Sequence, residues 1–182
     1  MAEAAKSRGE AAPALPTWPD EIYRVLKDAG IRQVAMVPDA GHSRLIRSFE
    51  ADPETRVVTL TTEEEGVAML AGAWLGGERG VLLLQSSGVG NCINMLSLPV
   101  IMRAPLLMLV TMRGEWAEFN PWQVPMSQAT EKSLNAVGIR TIRANSPGEL
   151  VDIVGASAVE AYEADQQIAV LMSQRLIGAK KW

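Results

Sequence analysis

Apolar residues along the chain fall into two alternating rhythms. Short, nearly unbroken apolar runs recur at Gln33–Val37, Arg56–Thr61, Gly80–Gln85, Leu106–Met112, Ile139–Ile142 and Gln167–Met172. Successive apolar positions are what a strand covered on both faces requires, so these runs predict strands. Between them, apolar positions at helical spacing predict helices over 42–51, 63–76, 89–103, 128–136 and 147–164. A further helix precedes the first strand. It starts near Thr17, with Pro19 in its first turn and Asp20 three residues after the cap, it carries Ile22, Val25, Leu26 and Ala29 on one face, and Gly30 stops it. Asn145 or Ser146 caps the last long helix, with Pro147 in its first turn. Strict alternation of strand and helix predicts an α/β fold: a six-stranded parallel sheet with helices on both faces. Residues 1–16, rich in Ala, Glu and Pro, read as a disordered arm, which leaves 17–182 as one domain.

One stretch escapes both rhythms. Arg113–Ser127 is long for a loop in a compact domain, and such loops serve function or an interface. Its Trp116, Phe119 and Trp122 suit a protein partner if exposed, or the edge of the domain's own core if not.

Composition narrows the function classes. The 182 residues are 48% hydrophobic and 21% charged, as in ordinary globular proteins. A formal net charge of -4 argues against non-specific nucleic-acid binding, which needs a basic face. No apolar run approaches the ~20 residues of a membrane span, and the N-terminal residues lack the apolar core of a secretory signal. A single cysteine, Cys92, has no partner for an internal disulfide, which fits a reducing cytoplasm. One histidine and one cysteine also fall short of a structural zinc site.

In an open parallel sheet, ligands bind beyond the carboxyl ends of the strands. Four clusters are predicted there: Pro38–His42, Thr62–Gly66, Ser86–Asn91 and Arg113–Glu115. Glu63, Glu64 and Glu65 open a helix, where acidic residues are favoured by the dipole in any case. The following Gly66–Trp74 is dense in small residues, which suits a close contact with the sheet or a subunit interface. Ser87-Gly88-Val89-Gly90 offers backbone N–H groups to a phosphate or makes a tight strand-to-helix turn; it lacks the lysine of a P-loop and the third glycine of a dinucleotide fingerprint. His42, the only histidine, is a catalyst or a cap. Cys92 lies near a helix start, as a reactive thiol or a buried inert one.

Taken in order, VPDAGHSRLI, TTEEEGVAMLAGAWLGG, LLLQSSGVGN and TMRGEWAEFNPWQVPM resemble the pyrimidine-binding part of thiamine-diphosphate-dependent 2-oxoacid decarboxylases, of the sulfopyruvate and phosphonopyruvate decarboxylase type. The resemblance runs from about Trp18 to the last strand. It implies a glutamate at a helix start that hydrogen-bonds the aminopyrimidine of thiamine diphosphate. The family's Glu-x-Gly-x-Ala pattern places that role on Glu64, with Glu63 and Glu65 as the one-residue alternatives. Ser87, Gly88 and Asn91 correspond to a turn lining the pyrimidine side of the site, here with Ser86-Ser87 where Asn-Ser is expected. The segment Pro38–His42 corresponds to one that faces substrate. Ala40 stands where some relatives carry an acid or hydroxyl, so proton transfer falls to His42 or Asp39, and His42 is preferred because imidazole titrates near neutrality.

The family's Mg²⁺-binding Gly-Asp-Gly is missing from this chain. A diphosphate needs a metal or cationic clamp. The resemblance therefore implies a separate beta subunit that carries the diphosphate-binding domain and its Mg²⁺, in a hetero-oligomer whose site lies between the chains. Helix 66–74 and the loop 113–127 are the candidate contacts. The implied substrate is a small 2-oxo acid bearing a sulfonate or phosphonate, for which Arg113 is the local cation unless it pairs with Glu115 or Glu118.

Overall fold

The computed structural model describes residues 17–178, so the expected arm at 1–16 lies outside the described residues. Six strands form one parallel sheet: β1 (Ile31–Met36), β2 (Arg56–Thr59), β3 (Arg79–Gln85), β4 (Leu106–Thr111), β5 (Arg140–Ala144) and β6 (Gln167–Met172). Their spatial order is β2-β1-β3-β4-β6-β5. The helices are α1 (Trp18–Asp28), α2 (Ser43–Glu50), α3 (Glu63–Leu75), α4 (Ser86–Cys92), α5 (Ser97–Met102), α6 (Gln123–Ala136), α7 (Pro147–Ala164) and the short α8 (Gln174–Ile177).

The continuous apolar runs are explained by two cores, one on each face. Val81 and Leu83 of β3 and Leu107 and Leu109 of β4 join α1, α2 and α7 in one core. Their neighbours Leu82, Leu84, Met108 and Val110 join residues of α3, α4 and α6 in the other. Side chains alternate along a strand, so both parities must be apolar where both faces are covered. The edge strands β2 and β5 are only partly buried, and there the expected limits Arg56–Thr61 and Ile139–Ile142 shift to 56–59 and 140–144.

Two helical expectations change. The single helix over 89–103 is two, α4 and α5, joined by turns through 93–96. Pro99, in the first turn of α5, has no N–H to continue a longer helix, but it costs nothing at a new start. The segment expected to be irregular as far as Ser127 ends at Trp122. Asn120 Oδ1 accepts the Trp122 N–H at 3.1 Å, the Asn120 carbonyl accepts the Gln123 N–H, and α6 begins there with Pro125 in its first turn.

The chain leaves β1 toward β2 and returns to β3 on the other side. The sheet order thus reverses between β1 and β3, and at such a point the loops diverge and leave a crevice. The residues after β1 and β3 flank it. Helix α3 lies close over these two strands because Gly66 faces them: a Cβ there would stand 2.6 Å from Leu82 Cδ1 and 2.8 Å from Leu60 Cδ1.

Candidate active site

Glu63 is the first residue of α3 and is buried, 8% exposed. Glu65 closes a capping box, its carboxylate accepting the N–H of Thr61 at 2.8 Å and of Thr62 at 3.4 Å. Its duty is to hold the helix start. Glu64 is half-buried. Glu63 instead faces α4: Asn91 Nδ2 donates to its Oε2 at 2.8 Å. Gly88 lies flat against the same carboxyl, and any Cβ at position 88 would overlap it.

These groups form one wall of a cavity of about 760 Å³. Glu63, Ser87, Gly88 and Asn91 line its polar side; Pro121, Trp122, Pro125 and Met126 line its apolar side. A smaller cavity of about 170 Å³ shares Glu63 and Ser87 and adds Val37, Pro38, Asp39 and Gln85. Asp39, 8% exposed, is held by Gln85 Nε2 and by Thr111 Oγ1, the latter at 2.6 Å. Of the residues expected from sequence, then, Glu63, Asp39, Ser87, Gly88 and Asn91 converge.

Three others do not line these cavities. His42 is fully buried, with Nε2 at 3.0 Å from the Leu109 carbonyl and no partner for Nδ1. Burial holds its imidazole below the usual range, against the opposing pull of Asp39 and the carbonyls. Arg113 is 6% exposed and clamps Glu118 with two bonds of 2.8 Å, from Nε and Nη2, so the ion-pair alternative describes it. Glu64, expected from the family pattern, is half-buried and is not among the residues lining these two cavities of the single chain.

Within Ser87–Gly90, which lies in α4, Gly88 packs against the Glu63 carboxyl, and that disfavours a free phosphate at that point. Cys92 is buried, its thiol 3.5 Å from the Gly88 carbonyl. Burial, with Glu63 and Glu64 nearby, pushes it up to about 12, so it is the inert thiol of the two readings. Helix α3 divides the small-residue stretch: Gly66, Val67, Leu70 and Ala71 are buried, while Ala68, Gly72 and Leu75 are exposed.

Sequence reasoning missed Gln85 and Thr111, which orient Asp39, and Gln174, whose Oε1 accepts the N–H groups of Glu115 and Trp116 at 2.9 Å each. The first two end strands beside the crevice, a positional signal; Gln174 carries none. Among the described residues no group of three or more His, Cys, Asp or Glu is arranged to hold a metal ion, and no helix is long and apolar enough to cross a membrane.

Comparison with known proteins gives concordant results. Residues 17–130 match the profile of the family described as thiamine pyrophosphate enzyme, N-terminal TPP binding domain. The chain is 34% identical over 154 residues to the sulfopyruvate decarboxylase subunit alpha of Methanothermobacter thermautotrophicus, covering 84% of this chain and 93% of that one. It is 43% identical over 99 residues to the phosphonopyruvate decarboxylase of Streptomyces viridochromogenes, covering 54% of this chain but 25% of that larger protein. In fold it is similar to the 2-oxoglutarate:ferredoxin oxidoreductase of Magnetococcus marinus, with a TM-score of 0.72 at 12% identity over 88% of this chain and 29% of the other.

Proposed function

The chain belongs to the thiamine pyrophosphate enzymes, as a carrier of their N-terminal TPP binding domain, and from that premise we propose that it is the alpha subunit of a two-chain 2-oxoacid decarboxylase of the sulfopyruvate decarboxylase type. The observation that carries the reading is the buried Glu63 carboxylate in the polar wall of the larger cavity.

The lining suits an aminopyrimidine. A flat heterocycle needs a carboxylate for its ring nitrogen, polar groups at its edge and apolar surfaces over its faces. Glu63, Ser87 and the Trp122–Met126 wall supply these. A diphosphate is a poor match: both cavities are lined by carboxylates and neither by a lysine or arginine. The diphosphate and its Mg²⁺ are therefore assigned to a beta subunit, in keeping with the alpha-subunit names of the relatives that span most of the chain. When bound, thiamine diphosphate supplies a nucleophilic carbon and an electron sink for loss of carbon dioxide.

The chain's own residues have separate tasks. Glu63 holds the proton at the pyrimidine ring nitrogen. Asp39 shares the smaller cavity with Glu63, its carboxylate oriented by Gln85 and Thr111, and it is the group placed to move a proton to or from substrate. The sealed His42 leaves that task to it. Trp122, 81% exposed, and Pro121 offer apolar surface to one face of the ring. With Arg113 committed to Glu118, the cation for the second anion of a sulfonated or phosphonated substrate is assigned to the beta subunit. A 2-oxo acid without that anion is the second reading the same commitment favours.

The test is co-expression with the beta subunit and an assay of carbon dioxide release from sulfopyruvate, phosphonopyruvate and an unsubstituted 2-oxo acid. Activity is expected only from the assembled pair. Glu63→Gln should lose at least about 100-fold, the low end of a proton-transfer group's contribution, whereas Glu64→Gln should stay close to the unaltered enzyme. The opposite ranking of the two variants would move the role to Glu64, and full turnover by this chain alone would end the two-chain reading.

A further inference from the structure

We infer that the outer face of α3 and α5 is a contact between two copies of this chain, packed about a two-fold axis with their α3 helices antiparallel. The inference does not depend on the reading of the site proposed above. It moves the small-residue stretch of α3 from the beta subunit to a second copy.

This face stands apart by what it lacks. From Gly66 to Gly77, and again from Ser86 to Met102, the chain holds no charged residue. The other long helices each expose charge: Arg24 on α1, Arg47 on α2, Lys132 on α6 and Asp152 on α7. A helix without charge on any side belongs in an interior. Beyond its first turn α3 is such a helix, yet it is covered on one side only. Glu65, Ala68, Gly72 and Leu75, at i, i+3, i+7 and i+10, form an exposed stripe. Leu75 is 75% exposed, and Ile101, on the neighbouring α5, is 81% exposed.

Gly72 supplies an independent observation. Glycine is the poorest helix former after proline, so inside a helix it needs a reason. Gly66 has one, since its Cβ would strike Leu82 and Leu60. A Cβ at Gly72 would meet nothing within 4 Å, so the chain itself holds no such reason. A second backbone laid close against the stripe provides it.

Charge selects a copy as the occupant. A two-fold contact sets each patch against itself. A charged centre would repel its own image, and this centre carries no charge. The two ends differ in sign. Glu65 lies in the first turn of α3, beside the crevice, and Arg103 follows α5 at the far end of the face. Glu78 and Arg79, which follow α3 at that end, are bonded to Gln33 and Glu163. Arg103 is exposed and has no ion-pair partner among the described residues. Antiparallel packing brings each Glu65 toward the other copy's Arg103. The stripe runs ~15 Å down α3, away from the crevice, which leaves the crevice rim and the segment 113–122 to the beta subunit.

The experiment is sedimentation velocity of the full chain across a dilution series, where a dimer is expected. Gly72→Glu and Ile101→Glu each set a charge against its own image and should give monomers. Their helix content by circular dichroism should be unchanged, because both positions are exposed and Gly72 has room for a side chain. Gly72→Ala, a better helix former, should nonetheless weaken the dimer. Arg103→Glu should raise the dissociation constant at least about tenfold through like charges facing across the contact. Glu65→Gln, which keeps the capping box, should recover part of that loss. Within one chain the two positions lie at opposite ends of the face, so coupling between them arises only between copies. A monomer at every concentration would overturn the inference, and loss of beta-subunit binding by Gly72→Glu in such a monomer would give the face to that subunit. A dimer indifferent to both glutamate variants would overturn it too, by placing the contact elsewhere. So would a loss in Arg103→Glu that Glu65→Gln does not relieve.

Discussion

At position 88 two local effects of similar size oppose each other, and the site decides what survives. Alanine is better than glycine inside a helix by about 1 kcal/mol. Its Cβ, however, would overlap the Glu63 carboxyl, and forcing that side chain off its rotamer costs about 0.5–1.5 kcal/mol. Gly88→Ala should therefore leave the urea midpoint of the chain nearly unchanged while displacing Glu63 and lowering decarboxylation at least about tenfold. A large loss of stability would show that α4 cannot absorb the strain, and unaltered turnover would show that Glu63 has room to spare. The same face of α3 explains what the sequence could disclose here. Glu63, Gly66, Val67 and Leu70 stand at i, i+3, i+4 and i+7, one stripe, and the last three are buried against the sheet or its neighbours. Glu63 heads that buried stripe. A family pattern matched residue by residue favours Glu64, whereas the helical spacing of the buried positions favours Glu63. His42 offered no such signal: a lone histidine after a strand reads alike whether its ring points to the crevice or to the Leu109 carbonyl.

Among the elements, the segment 113–122 is the one whose order rests on polar contacts. Arg113 and Glu118 pair with side chains only 8% and 3% exposed. Glu118 also accepts the N–H groups of Gly114 and Asn120 and the amide of Gln174, so one carboxylate gathers both ends of the turn and α8. Removing one partner of a buried pair costs about 3–5 kcal/mol, because the other charge is left without compensation. Here three further donors remain to Glu118, so Arg113→Met should fall at the low end of that range. The accompanying loss should be local: hydrogen exchange should quicken over 114–122, and cofactor binding should weaken as the Pro121–Trp122 wall loosens. Exchange protection as slow as in the unaltered chain would show that packing, not the ion pair, holds the segment. The sequence marks this stretch by its length and its aromatics, but reads it as irregular through 127, whereas α6 begins at Gln123. In the first turn of a helix a proline gives up no hydrogen bond, and Asn120 was the start signal. The central strands were legible because both parities are apolar. The ends of β2 and β5 were not, because an edge strand is buried too little to mark its limits.

For the molecule as a whole, the sheet reversal between β1 and β3 opens the crevice and also seals His42 beneath it, and that has a consequence for acid stability. Two buried groups titrate with the same sign. Burial lowers the His42 imidazole below its usual range, although Asp39 and nearby carbonyls pull it upward. An unfolded imidazole titrates near ~6.5, so below that pH the unfolded chain binds a proton that the folded chain refuses, and stability falls as pH drops. For Glu118, burial alone would raise the carboxyl, but Arg113, the Asn120 and Gly114 N–H groups and Gln174 together hold it at about 2. Its contribution is complete above the unfolded carboxyl's ~4.3 and is lost as pH falls from there toward 2. The two windows open at different pH, ~6.5 for the imidazole and ~4.3 for the carboxyl, so their onsets can be assigned. Urea unfolding followed from pH 8 to pH 4 should show stability declining first below about 6.5, by at most ~1.4 kcal/mol per pH unit for a single proton, and more steeply once carboxylates protonate. Glu118→Gln should be less stable at neutral pH but keep the first decline. His42→Gln, whose amide nitrogen can still meet the Leu109 carbonyl, should lose that first decline and keep the second. If His42→Gln still declines between pH 6.5 and pH 5 as the unaltered chain does, the imidazole is not the group that the folded core keeps neutral.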